Sequence, residues 1–207
     1  MDCKSYKVKY MKKPAFNPAA ISEKDFDGIE KAEISIWKWE EGYTPETFAQ
    51  MMVVNGKYLV IKLECKESKP MARYKNYGDP VFTDSCMEFF FSAERYSPYV
   101  NIEMNSIGGT IMAYGPDRND RKPLNEFCDL PKVQTNIYLD SWNTRLAIPL
   151  SDIEKLFGKK IQKGSTLYGN FYKCGDDCEP AHYGMWNEIM KDTPTFHEPE
   201  YFGEFEF

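Results

Sequence analysis

The sequence predicts an all-β fold: an antiparallel β-sandwich of jelly-roll type with one short helix. Three observations carry that reading. An Asn55-Gly56 pair separates two apolar, β-branched runs in "FAQMMVVNGKYLVIKLEC", and a type I′ hairpin turn needs positive φ at both central residues, which Asn and Gly tolerate. Alternation of apolar and polar residues with period two recurs along the chain, the mark of half-buried strands. The alternating segments are short and parted by turn-rich loops, as in sandwiches and barrels.

In chain order, "AEISIWKW" alternates first. In the second arm of the Asn-Gly hairpin, Leu59, Ile61, Leu63 and Cys65 share one face while Lys62 and Glu64 share the other. "CMEFFFSA" puts Met87, Phe89 and Phe91 on one side, with Glu88 and Phe90 opposite. "YVNIEMNSIGGTIMAY" reads as a second hairpin turning at Gly108-Gly109, and "TNIYLD", "NTRLAIPL", "TLYGNFYKC" and "YFGEFEF" bring the total to about ten strands. The helix is expected in "PLSDIEKLFG", with Ser151 as N-cap, Glu154 completing a capping box and Gly158 ending the turn. No Pro-, Gly- or Ser-rich linker divides the chain, so residues 1–207 read as a single domain. Two long polar loops, 66–80 and 115–127, are candidates for function.

Composition narrows the chemistry. Net charge is −6 with acids and bases interspersed, which argues against nucleic acid as a partner. No apolar run reaches the roughly 18 residues that a membrane span needs. The basic N-terminus lacks the apolar segment of a secretory leader, so the chain reads as cytoplasmic, or as secreted with its leader removed. Fourteen Phe, fourteen Tyr and four Trp exceed what a core of this size takes, and tyrosine favours half-wet surfaces. Six cysteines leave the redox state open, although Cys65 and Cys86 lie in apolar strand patterns where a free thiol behaves as a small hydrophobe.

The run "NFYKCGDDCEPAHYGMWNEI" concentrates chemistry-bearing residues. Cys174, Cys178 and His182 depart from zinc spacing, and Asp176, Asp177 and Glu179 lack the order of an EF-hand, so no metal ligands are assigned. No nucleophile motif or phosphate loop occurs, and no catalytic residue is assigned. Glu88 and Glu103 project from the faces opposite their strands' apolar sides, and Asn101 and Asn105 flank Glu103 on that face. Such a row is either a solvated sheet face or a set of groups that grip hydroxyls. Aromatics favour the second, because a pyranose presents an apolar C–H face and a hydroxyl rim, which flat rings and charged acceptors match. Phe82, Tyr74, Tyr77 and Trp186 occupy loop-like or strand-edge positions, whereas Trp37, Trp39 and Trp142 are left as structural or undecided.

Together, "DPVFTDSCMEFFFS", "YVNIEMNSIGGT", "WNTRLAIPLSDI", "GNFYKCGD" and "HYGMWNEI…PTFHEPEYFGEFEF" resemble the family 9 carbohydrate-binding modules, in the branch related to DOMON domains, from about Ile29 to the C-terminus. The resemblance implies a β-sandwich that holds a small sugar or the end of a glucan or xylan chain between two aromatic side chains, and that can serve a glycoside hydrolase. It matches Phe82, six residues before Glu88, to one aromatic and Trp186 to the other. Asn105 matches a sugar-binding asparagine, and Glu103 stands where the family often has arginine. Asn170 and Lys173 are further candidates, although strand parity puts Lys173 on the side of Phe171. Calcium is implied as a cofactor without matching ligands. Two rivals stay open: a glycosidase using Glu88 and Glu103, and a haem module using Met with His182 or His197.

Overall fold

A computed structural model describes residues 3–40 and 42–207. The strands before the mid-chain loops are β1 (Ser5–Lys7), β2 (Lys9–Met11), β3 (Ala32–Glu33), β4 (Ile36–Trp37), β5 (Thr47–Val54) and β6 (Tyr58–Cys65). Then come β7 (Cys86–Ser92), β8 (Tyr99–Asn105), β9 (Thr110–Gly115), β10 (Lys122–Pro123), β11 (Gln134–Ile137) and β12 (Trp142–Pro149). Helix α1 (Leu150–Phe157), β13 (Thr166–Gly175), β14 (His182–Met185) and β15 (Gly203–Glu206) complete the fold.

Among the described residues the strands form two sheets. One runs β1-β15-β13-β7-β8-β9-β10 with β14 and β4 beside it, and the other runs β11-β12-β6-β5-β2 with β3 paired to β5. The pairs are antiparallel except β1 with β15 and β2 with β5, so the N-terminal segment stitches the two sheets together. Tyr6 sits at this crossing, its hydroxyl donating to the Glu30 carbonyl at 2.7 Å and accepting from the Met51 N–H at 3.0 Å.

The Asn55-Gly56 turn has φ of 56° and 64°, as a type I′ hairpin requires. The helix departs from its expected start. Pro149 stands at the N-cap with no side-chain cap, and the Leu150 N–H is taken by the Lys57 carbonyl at 2.8 Å, so β12 runs directly into α1 and Ser151 is already inside the helix. Gly158 ends it in the left-handed conformation.

Between the sheets, Phe89, Phe91, Phe171 and Phe205 pack with Met51, Ile61 and Leu146 in the main core. The nine-stranded sheet is also covered on its other face. There Phe90, Tyr99 and Tyr172 join Phe196 and Phe202, and Phe196 stacks on Tyr172 with ring centroids 4.1 Å apart. A sheet buried on both sides has two apolar faces, and the polar groups caught on its outer face lose water. This second layer creates the candidate site.

Candidate functional site

Glu88 and Glu103 are directly opposed on β7 and β8. Residues directly opposite on antiparallel strands have Cβ atoms about 5 Å apart, so the two carboxyls are neighbours. The sequence places them on a face that could be solvated. In the structure they are only 3% and 2% exposed, because the loops after β6, β9 and β14 roof that face. They form the floor of a cavity of about 90 Å³ whose walls include Phe82, Arg121, Tyr183, Phe196 and His197.

Burial and the neighbouring carboxylate raise Glu88 well above the usual carboxylate range. Burial also pushes Glu103 up, to about 7, against the opposing pull of the Arg121 guanidinium 4.0 Å away. The pair therefore retains a proton near neutral pH, giving the floor one O–H donor beside carboxylate acceptors. Asn101 donates from Nδ2 to Glu103 Oε1 at 2.9 Å, while Glu103 Oε2 and Asn101 Oδ1 are buried without a partner among the described residues.

Phe82 lies in the short turn Val81–Thr83. Its carbonyl accepts from the Asp176 N–H at 3.2 Å, and Arg73 ties the same loop to Asp177 at 2.9 Å. Asp84 accepts from the N–H groups of Arg73 and Tyr74 at 2.8 and 3.1 Å. Asn105 completes this anchor: Nδ2 donates to the Tyr74 carbonyl at 2.6 Å and to Asp84 at 3.0 Å, and Oδ1 accepts from the Gly109 N–H at 2.8 Å. Asn105 thus positions the loop that carries Phe82 and lies outside the cavity wall. Tyr74 and Tyr77 also fall outside the wall, Tyr77 donating its hydroxyl to the Met112 carbonyl at 2.8 Å.

Besides Asn105, three expected site residues are elsewhere. Trp186 is 4% exposed in the inter-sheet core, stacked on Phe205 at 5.4 Å and edge-on to Phe171 at 5.9 Å. Its backbone N–H donates to the Phe171 carbonyl, which continues the β13–β14 register and gives Trp186 the inward side. The ring therefore cannot stack on a sugar at this cavity. Asn170 clamps the Asn187 backbone, accepting from its N–H and donating to its carbonyl, each at 2.8 Å. Lys173 is fully buried on the Phe171 side, 3.7 Å from Glu67 and donating to His182 Nε2 at 2.5 Å.

Strand parity separates Cys174 from His182, while Cys178 and His182 both lie against Gly175. Cys174 faces outward toward Glu88, while His182 is fixed by Lys173 and the Pro180 carbonyl. His197 bonds Tyr99 through Nδ1 and Arg121 through Nε2, each at 2.8 Å. With both ring nitrogens engaged, neither histidine offers a free lone pair to a haem iron. Arg121, Tyr183 and Phe196 are not singled out by the sequence, and His197 is singled out there only as a haem ligand. The signals are the length of the 115–127 loop for Arg121, the "HYGM" run for Tyr183 and the "PTFHEP" segment for Phe196 and His197, but none fixes what lies over the floor.

A two-sheet sandwich with an aromatic-edged, carboxylate-floored cavity on one outer face has the construction of a carbohydrate-binding module. The chain belongs to carbohydrate-binding family 9, whose model matches residues 19–207. Among solved structures it is similar to a protein of Bacteroides uniformis ATCC 8492 assigned to carbohydrate binding, with 27% identity, a TM-score of 0.81, and 99% of each chain covered. It also resembles in fold a family 9 carbohydrate-binding module of Caldicellulosiruptor kristjanssonii in complex with glucose (15% identity, TM-score 0.68, covering 98% of this chain and 95% of that one). The corresponding cellotriose complex gives 13% identity and a TM-score of 0.69, covering 98% of this chain and 93% of that one. No curated protein matches the chain.

Proposed function

We propose that the cavity over Glu88 and Glu103 binds a single sugar unit, free or at the end of a glycan chain, without cleaving it. The observation that carries this reading is the buried, unpartnered Glu103 Oε2 on the floor, with Asn101 Oδ1, two residues along β8, likewise buried without a partner. Such atoms are costly unless a ligand supplies donors, and a rim of hydroxyls does so. Phe82 offers a flat face at one wall, and Phe196 with Tyr183 takes the place expected of Trp186 at another. Arg121 can donate to ring or hydroxyl oxygens beside Glu103. The glucose and cellotriose complexes of family relatives support a neutral gluco-configured ligand.

The binding role without catalysis is supported by the placement of the acids. Both project from adjacent strands of one floor, whereas hydrolysis needs carboxyls flanking the scissile bond from two sides. Calorimetry with glucose and cellotriose tests the reading. A Kd on the order of micromolar to millimolar is expected after association costs. Phe82→Ala should weaken binding about tenfold or more, and Glu103→Gln should weaken it comparably, with the melting temperature held. Failure to bind any sugar on a glycan array rejects the reading. Turnover of a chromogenic glycoside that disappears in Glu88→Gln would establish the enzyme instead.

A further inference from the structure

We propose that Cys86, Glu88 and Cys174 form a binding site for a thiophilic divalent metal, zinc being the natural fit, set into the floor beside the sugar cavity. Cys86 and Cys174 are directly opposed on β7 and β13, and Glu88 is two residues along β7 on the same face. The three side chains are buried, and their ligand atoms all lie within 4.8 Å of one another. Tetrahedral zinc, with Zn–S of about 2.3 Å and Zn–O of about 2.0 Å, sets S···S near 3.8 Å and S···O near 3.5 Å. Cys174 Sγ and Glu88 Oε1 are already 3.0 Å apart. Side-chain rotations of under about an ångström, on two central strands that need not move, would complete the set.

A second observation points the same way. Among the described residues, the donor within hydrogen-bond distance of the Glu88 carboxylate is the Cys174 thiol, a weak one. A buried acid served by a thiol alone is poorly compensated, and all six cysteines are free, so no disulfide claims these two. A divalent cation would compensate all three groups at once. Two sulfurs and one oxygen select a borderline-soft ion over calcium or magnesium, which prefer oxygen shells. Binding releases the two thiol protons to solvent, leaves the proton of the acid pair on Glu103 or gives it up as well, and forms two metal–thiolate bonds and one metal–carboxylate bond. Cys174 and Glu88 line the cavity while Cys86 lies behind it, so the fourth position opens toward the cavity for a water or a sugar hydroxyl.

The test uses the full, reduced chain titrated with cobalt(II) and then zinc. The expected result is a sulfur-to-cobalt charge-transfer band with tetrahedral visible bands, bleached by one equivalent of zinc and unaffected by calcium. Cys86→Ser and Cys174→Ser should each weaken zinc binding by about a hundredfold. Cys86→Ala serves as the second variant if the serine unfolds the strand, as read by a thermal melt. The proposal is overturned if the reduced wild-type protein shows no charge-transfer band, or if the band survives in both serine variants. Sugar titration of metal-free Cys86→Ser separates the two readings. Retained sugar affinity with lost metal binding in this variant supports both, and a wild-type protein that binds zinc but no sugar sinks the sugar reading alone.

Discussion

Trp186 shows how far a single side chain can be judged from its neighbours in sequence. Its position beside a polar, histidine-bearing turn suggests an exposed ring, yet the register of β14 on β13 turns it into the core. Gly203 leaves the slot that the ring fills, since a Cβ there would collide with the indole. Trp186→Ala is therefore expected to lower stability by about 3 to 5 kcal/mol, with Trp186→Phe costing less. Denaturant unfolding checks this, and a near-neutral alanine variant would contradict the placement. Glu88 and Glu103 were readable because side chains alternate strictly along strands, so two outward acids on neighbouring strands had to share a face. Their depth was not readable. It depends on loops contributed from residues 71–84, 116–121 and 190–198, which no local pattern ties to that face.

The same division holds for elements. The β5–β6 hairpin was legible to the residue, because few dipeptides other than Asn-Gly accept positive φ twice in succession. Asn55 has an additional task, for its amide accepts from the Lys13 N–H and donates to the Lys13 carbonyl, each at 2.8 Å, like one more rung of a ladder. A methyl at Gly56 would meet nothing within 4 Å, so Gly56→Ala isolates backbone strain and should cost about 1 kcal/mol by chemical denaturation. Asn55→Gly should leave the turn intact while loosening the N-terminal segment, measured as faster amide exchange in β2. The helix was legible at its glycine end and not at its start. A capping box needs a free preceding turn, and Pro149 is still paired with Tyr58 in the sheet. The alternation of "AEISIWKW" is legible, but its division into β3 and β4, two residues each, is not, and β10 with two residues is too short for any period to show.

For the whole molecule, buried charge sets the response to acid. Burial, with the Lys173 ammonium next in weight, pushes His182 down to about 4 from its ordinary 6.5. Burial, with Arg121 and Arg118 beside it, pushes His197 down to about 3. Both rings stay neutral in the fold while the unfolded chain takes up protons below pH 6.5, so the stability they lend is lost progressively from there downward. Glu67, held below its usual 4.5 against its burial by the Lys173 ammonium and the hydrogen bonds of Ser85 and Trp142, loses its share as pH falls through 4.5. The Glu88–Glu103 pair acts oppositely. Its raised values favour the fold at low pH and lose that contribution as pH rises above 4.5. The melting temperature should thus change little between pH 6.5 and 4.5, where the effects oppose, and drop steeply below 4.5. A melting temperature unchanged down to pH 3 would contradict the buried neutral imidazoles. The parallel β1–β15 pair bears on a different kind of stress. Tension applied through the segments before Ser5 and after Glu206 pulls these two strands lengthwise in opposite directions. The bonds from Val8 N–H to the Glu206 carbonyl at 2.8 Å and from Glu204 N–H to the Lys4 carbonyl at 2.9 Å would then resist together, in shear, instead of peeling open one after another. A domain tethered at both ends would yield to drag late and all at once.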